Sequence, residues 1–187
     1  MNKIKVAPDT LLNPMPVVVV SCQVPGGVPN LITLAWAGIA SSKPPAISIA
    51  VRPSRYSFDI LYESKEFVVN VPSADLVGAV DICGVVSGRD GDKFAKAGLT
   101  PAACDIVKAP MIAEFPISLE CKVANILDLG AHHLFIGEVV AAHIDPKVQS
   151  EGKKIDTDLS SPIVYCYGSH EYRTLGKVVG SYGFSKK

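Results

Sequence analysis

Residues 117–144 read ISLECKVANILDLGAHHLFIGEVVAAHI. In the first part Ile117, Leu119, Cys121 and Val123 alternate with Ser118, Glu120 and Lys122. That is the period-two pattern of a strand with one buried face. Asp128-Leu129-Gly130 then supplies turn chemistry, and a second apolar run, His133–Ile144, follows at once. The stretch predicts two long antiparallel strands, Ile117–Leu127 and His133–Ile144, joined by a tight turn. Such a hairpin fits a β-barrel rather than alternating β-α units.

The flanking sequence agrees. Val17–Cys22 is a β-branched run that ends at the turn Pro25-Gly26-Gly27. Further strands are predicted at Leu31–Trp36, Ala46–Arg52, Glu66–Val71 and Ile163–Tyr167. In Ala46–Arg52, Ile47, Ile49 and Val51 point one way, and Ala46, Ser48, Ala50 and Arg52 the other. Helices are few. One is predicted over Ser54–Ser64, capped by serine after Pro53, and a second over Ser73–Val86, with a short turn at Asp92–Ala97 that closes at Gly98. Strands at short intervals with two modest helices predict one β-rich α+β domain over 1–187, a β-barrel with helical insertions. Its core would span about 13–170, with a tail from about 173.

The 187 residues are 48% hydrophobic and carry 18 basic and 18 acidic side chains. A balanced charge argues against a nucleic-acid or anionic-membrane partner, which would call for a basic excess. The mean hydropathy of +0.29 is high for a small water-soluble chain and points to a subunit interface or a cofactor cavity. The N-terminus carries no long apolar core and the longest apolar stretch, Leu31–Ala40, is too short to span a bilayer, so the expected location is cytoplasmic. Cys22, Cys83, Cys104, Cys121 and Cys166 form no Cys-x-x-Cys pair and read as free thiols. Four histidines without helical i, i+4 spacing give no metal signature. Neither familiar glycine-rich nucleotide loop is present, nor His-Glu-x-x-His, nor Gly-x-Ser-x-Gly.

One region carries chemistry. Arg52 closes a predicted strand, and Ser54 and Ser57 open the predicted helix that follows. A helix N-terminus offers free N–H groups and partial positive charge, and Arg52 adds a charge-assisted donor, so this turn suits a phosphate. The same residues also suit a plain cap with a salt bridge.

Read in order, these segments resemble the flavin reductase-like family of FMN-binding split barrels, and within it the flavoredoxin-type members. The resemblance rests on Asn13-Pro14-Met15-Pro16 before a valine strand, on Asn30-Leu31-Ile32-Thr33-Leu34-Ala35-Trp36, and on Ser42-Lys43-Pro44-Pro45. It continues through Arg52-x-x-Arg55-Tyr56-Ser57, Phe67-Val68-Val69-Asn70-Val71-Pro72, and Ser87-Gly88-Arg89-Asp90 with Asp92-Lys93-Phe94. Gly130-x-His132-x-Leu134-Phe135-Ile136-Gly137-Glu138-Val139 completes it, with Ala131 where the family often has Asp. It covers about residues 13–170.

The resemblance implies a Greek-key split barrel that binds FMN as a homodimer with the flavin at the interface. Asn30, Thr33, Ala35 and Trp36 would line the isoalloxazine. Ser48, Arg52, Ser54 and Ser57 would face the ribityl chain and phosphate, with Asn70 near the same pocket. Lys93 and His132 would reach the flavin from the partner subunit, and Tyr165 would pack on the ring. Taken alone, Trp36 also suits a core aromatic, Lys93 a solvated helix charge and His132 a turn residue. The implied activity is an FMN-dependent oxidoreductase fed by NAD(P)H, a flavin or ferric reductase. The alternative is a flavoredoxin-like electron carrier with a protein partner. No acid, base or nucleophile of the protein is needed where the flavin carries the chemistry.

Overall fold

The computed structural model describes residues 2–186. The predicted hairpin is its spine: β9 (Ile117–Asp128) and β10 (His133–Ile144) pair antiparallel from His133↔Asp128 to Ile144↔Ile117. Asp128 accepts the Gly130 N–H in the turn, and Gly130 takes a φ of 82°, a region glycine enters without steric cost.

Around this spine a curled seven-stranded antiparallel sheet forms in the order β3-β2-β6-β9-β10-β5-β4. Its other members are β2 (Val18–Cys22), β3 (Asn30–Leu34), β4 (Ala37–Ser42), β5 (Pro45–Val51) and β6 (Glu66–Val71). The spatial order departs from chain order at β2–β6, β6–β9 and β10–β5, the crossings of a split barrel. A smaller sheet joins β1 (Met15–Pro16) to β11 (Ile163–Cys166) and β12 (Glu171–Thr174), and β7 (Pro101–Ala102) pairs with β8 (Met111–Ile112). The helices are α1 (Tyr56–Ser64), α2 (Val77–Val85), α3 (Lys93–Ala97) and α4 (Thr157–Ser160). Among the described residues no helix is long and apolar enough to cross a membrane.

Two apolar clusters fill the two faces of the sheet. Inside the curl, Ile49, Val51, Leu61, Phe67, Cys121 and Phe135 are fully buried or nearly so. On the outer face Val19, Leu31, Val80, Cys83 and Phe94 seat α2 and α3. The alternation in β2 and β3 splits between these clusters, which is why β2 is buried throughout and β3 at every position but the half-buried Thr33.

Two sequence expectations need correction. The run Leu31–Trp36 is not one strand: β3 ends at Leu34, and a separate edge strand, Ala37–Ser42, hairpins into β5. Helix α1 starts at Tyr56, not Ser54; Arg55 is its N-cap and makes no side-chain capping bond. Strand β12 was not anticipated.

Polar groups inside the scaffold are tied off. Asn70 donates to the Val19 carbonyl at 3.0 Å and the Ser21 hydroxyl at 3.2 Å, and accepts from Ile112 N–H and the Ser118 hydroxyl. The buried Glu120 carboxylate accepts the N–H groups of Asp105, Ile106 and Val107, and lies 2.6 Å from His143 Nε2. Asp105 lies close to the Glu120–His143 pair, but both Glu120 oxygens are already engaged. Burial alone would raise the Glu120 carboxyl, but the His143 and backbone bonds outweigh it and hold it down at about 2. A folded-state value below the ordinary 4.5 means that Glu120 stabilises the fold above that range. This stability is lost as pH falls from there toward about 2. Glu120→Gln is expected to cost about 1–3 kcal/mol at pH 7, and urea unfolding should show the difference from wild type shrinking through that acid window. A constant difference across the window would contradict the assignment.

Candidate functional site

The Arg52–Ser57 turn opens into a cavity of about 560 Å³ between the end of β5, the start of α1 and the α2–α3 connection. That size is ordinary for a small-molecule or cofactor site. Strand pairing explains its position. β5 and β10 run in register from Glu138↔Ala46 to His133↔Val51, so the next residues, Arg52 and His132, leave the sheet side by side. Arg52 Nε donates to His132 Nε2 at 3.3 Å, and the His132 ring lies 4.2 Å from the Trp36 ring, centroid to centroid. Partial burial first, then the charges of Arg52 and Arg55, push the His132 imidazole below its usual value.

The floor is polar and buried. Asn30 Nδ2 donates to Ser57 Oγ at 2.7 Å, and the two residues are 3% and 2% exposed. Asn30 Oδ1, equally buried, has no hydrogen-bond partner among the described residues. An orphaned acceptor of this kind costs about 1–3 kcal/mol unless a ligand supplies a donor. Gly88 makes the close fit here possible. A Cβ at that position would come within 2.3 Å of Asn30 Oδ1 and 2.2 Å of the Tyr56 ring.

Lys93 is buried at the first position of α3, where Asp92 caps the helix by accepting the N–H groups of Phe94 and Ala95. Its Nζ donates to the Cys83 carbonyl at 2.5 Å. Burial pulls its ammonium below the usual lysine range. The neighbouring thiols offer no negative charge, since burial pushes Cys22 up to about 12 and Cys83 to about 11.

The electrostatics of the lining are one-sided. Arg52, Arg55, Arg89 and Lys93 all line the cavity, and no Asp or Glu does. Among the described residues none of the four takes part in an ion pair. In a chain of zero net charge, this concentrates unpaired cations where an anion would enter.

Ten residues picked from sequence line this cavity: Asn30, Thr33, Ala35, Trp36, Arg52, Ser54, Ser57, Lys93, His132 and Tyr165. The Thr33 hydroxyl is already engaged, donating to the Val80 carbonyl at 2.6 Å and so tying α2 to β3. Two others, Ser48 and Asn70, are not among the lining residues. Ser48 bonds the Gly38 carbonyl under β4, and lies about 13 Å back along the strand from Arg52 at ~3.3 Å per residue. Asn70 is consumed by the scaffold network described above. Lys93 and His132, expected to enter from a partner subunit, line the cavity of their own chain. Sequence reasoning did not assign Arg55, Arg89 or His170 to the site. His170 sits at a φ of 54° between β11 and β12, and its Nδ1 lies 2.9 Å from the Tyr165 hydroxyl. Arg55 and Arg89 stood inside the quoted motifs; His170 gave no sequence signal.

The fold and this cavity define a flavin reductase-like split-barrel protein. The profile of the flavin reductase-like domain family matches residues 11–176, and the chain belongs to that family. Flavoredoxin of Desulfovibrio vulgaris (Miyazaki F) is 31% identical, superposes with a TM-score of 0.92 and is covered in full, as is this chain. Flavoredoxin from Methanosarcina acetivorans is 30% identical with a TM-score of 0.92, over 100% of this chain and 98% of that one. A curated relative from Archaeoglobus fulgidus is 37% identical over 112 residues, 60% of this chain and 63% of that protein.

The Arg52–His132 contact is directly testable. Arg52→Gln removes a neighbouring cation and a donor to Nε2, so the His132 titration midpoint, followed by NMR, should rise. An unchanged midpoint would mean that the contact does not persist in solution.

Proposed function

We propose that this chain binds FMN in the cavity and passes electrons through it, as a flavoredoxin-type redox protein. The observation that carries this reading is the set of four unpaired cations above a buried polar floor. FMN presents a phosphate for the cations, and its ribityl hydroxyls and ring N–H supply donors of the kind Asn30 Oδ1 lacks. Bound there, FMN would supply hydride or single-electron transfer. Arg52, Arg55, Ser54 and Ser57 would hold the phosphate. Helix α1 adds to this grip, because no side chain caps its first turn. Trp36, His132 and Tyr165 are the aromatic surfaces available to a flat ring.

Lys93 is the group that would favour negative charge on the reduced cofactor. It is buried, cationic and without an anionic neighbour. Lys93→Met should lower the FMN midpoint potential; an unchanged potential together with unchanged FMN affinity would remove Lys93 from this role.

The similarity to the two flavoredoxins supports the carrier reading, in which a redox protein delivers electrons. A second reading, reduction by NAD(P)H, is supported by the family match and by cationic lining beyond what one phosphate needs. Anaerobic mixing of the FMN-loaded protein with NADH or NADPH separates them. Bleaching of the flavin absorbance within the mixing time supports the reductase. A flavin that stays oxidised with both nucleotides supports the carrier.

We also propose that two copies pair. The edge strand β4 is unpaired on its outer side and presents Ile39, 83% exposed, and Val85 at the end of α2 is 73% exposed. Sedimentation as a single 19.8 kDa species would exclude the pairing.

A further inference from the structure

Tyr165 and His170 stand in the cavity wall as a bonded pair. His170 Nδ1 lies 2.9 Å from the Tyr165 hydroxyl; His170 is exposed and Tyr165 half-buried, so the pair reaches from water to the cavity. Several contacts fix its place. His170 has a φ of 54°, a left-handed backbone that a non-glycine residue keeps only where its surroundings hold it. Asn13 accepts the Tyr167 N–H at 3.1 Å and so pins the turn that carries His170. Behind Tyr165 the Tyr172 ring packs at 5.6 Å, and the Tyr172 hydroxyl donates to Asp81 of α2 at 3.2 Å.

The other ionisable nitrogens of the wall are committed. Lys93 is buried with its ammonium on the Cys83 carbonyl. His132 Nε2 accepts from Arg52, and partial burial with the charges of Arg52 and Arg55 favours its neutral form. Arg52, Arg55 and Arg89 keep their protons, as arginine does. Around His170 itself, the Tyr167 ring lies at 6.2 Å, and the Glu171 carboxylate is taken by Ser169 and Arg173. The Tyr165–His170 bond can then run in either sense. A neutral His170 with its hydrogen on Nε2 accepts the Tyr165 proton at Nδ1. A protonated His170 donates from Nδ1 to the Tyr165 oxygen, which leaves the hydroxyl proton for the cavity.

We infer that Tyr165, supplied by His170, is the proton donor of this site for the reduction of a quinone. The inference rests on the FMN reading above and names a class of acceptor. A metal centre or a redox protein takes electrons alone and leaves the pair without a use. A quinone takes a hydride and a proton. It gains the hydride from the reduced flavin and, at its other oxygen, the Tyr165 proton. As the Tyr165 O–H bond breaks, the tyrosine oxygen takes the Nδ1 proton of His170, and water restores a proton to the exposed ring. The quinone is reduced by two electrons to the hydroquinone, and the flavin is oxidised by two. Tyr165 touches the acceptor; His170 acts through Tyr165 as a positioning residue.

Two measurements test this. In flavin-free protein, Tyr165→Phe should change the nitrogen NMR signals of the His170 ring, which report what Nδ1 bonds to. Unchanged signals overturn the pairing and the inference with it. In FMN-loaded, chemically reduced protein, the rate of reoxidation by menadione, a quinone, is divided by the rate with ferricyanide, which takes an electron and no proton. In wild type this ratio should fall between about pH 5 and 8, over the range in which NMR shows His170 losing its proton. Tyr165→Phe and His170→Asn, the latter chosen because Asn accepts the left-handed backbone, should each flatten that profile. At its acid end each should lower the ratio by about a hundredfold, the lower range for a positioned acid. A wild-type ratio that ignores pH overturns the inference. So does a variant that slows both acceptors alike, because the ratio is then unchanged and the pair is structural. Failure of wild type to take up FMN is a separate result: it removes the FMN reading, and this inference with it.

Discussion

The register between β5 and β10 is the constraint on which the site depends. Val51 faces His133 as the last pair of that ladder, so Arg52 and His132 emerge together at one end of the barrel. Ile49, Val51 and Phe135, each buried to within 1%, hold the register from inside. A slip of one residue would turn their side chains out of the core and carry the site residues away with them. The chain then turns through Pro53 and enters α1, which brings Ser54, Arg55 and Ser57 to the same opening. Side-chain packing in the barrel thus fixes the position of a charge cluster that would repel itself if nothing held it together.

The buried polar groups divide into two kinds. Asn70 has partners for its amide oxygen and nitrogen and Glu120 for both its carboxylate oxygens, all from the protein, and so both behave as fasteners between the barrel and its long connections. Asn30 is as deeply buried as these, yet keeps an acceptor without a donor. The protein satisfies its scaffold and leaves the cavity floor unsatisfied. The same division holds for charge: Glu120 has His143 beside it and Asp156 has Lys153, but the four cations of the cavity have no carboxylate. Together these groups describe a ligand that brings both negative charge and hydrogen-bond donors.

The long hairpin was legible in sequence because its alternation persists over many residues around an unambiguous turn. Strand β4 was not, because AGIASS is made of small residues with Ile39 as its one large apolar side chain, and that side chain faces outward. Strand β12 was missed for a related reason, since Glu171, Arg173 and Thr174 are exposed and only Tyr172 packs inward. Arg52, Ser54 and Ser57 could be read from a strand end followed by a helix start. Ser48 shares the face of Arg52 by parity, but parity does not give distance along a strand. Asn70 looked like a pocket residue because its partners, Val19, Ser21, Ile112 and Ser118, come from three separate strands and are invisible in one dimension. Arg89 and His170 reach the cavity only through tertiary folding.

The central claim is that the cationic cavity is a phosphoester site for a flavin. Its most direct test is the affinity of flavin-free protein for FMN against riboflavin, which differs only by lacking the phosphate, at low and high salt. The account predicts that FMN binds at least about a hundredfold more tightly, as two charge-assisted arginine contacts imply, and that salt erodes the difference. Equal affinity for the two flavins, or no binding of either, would contradict it.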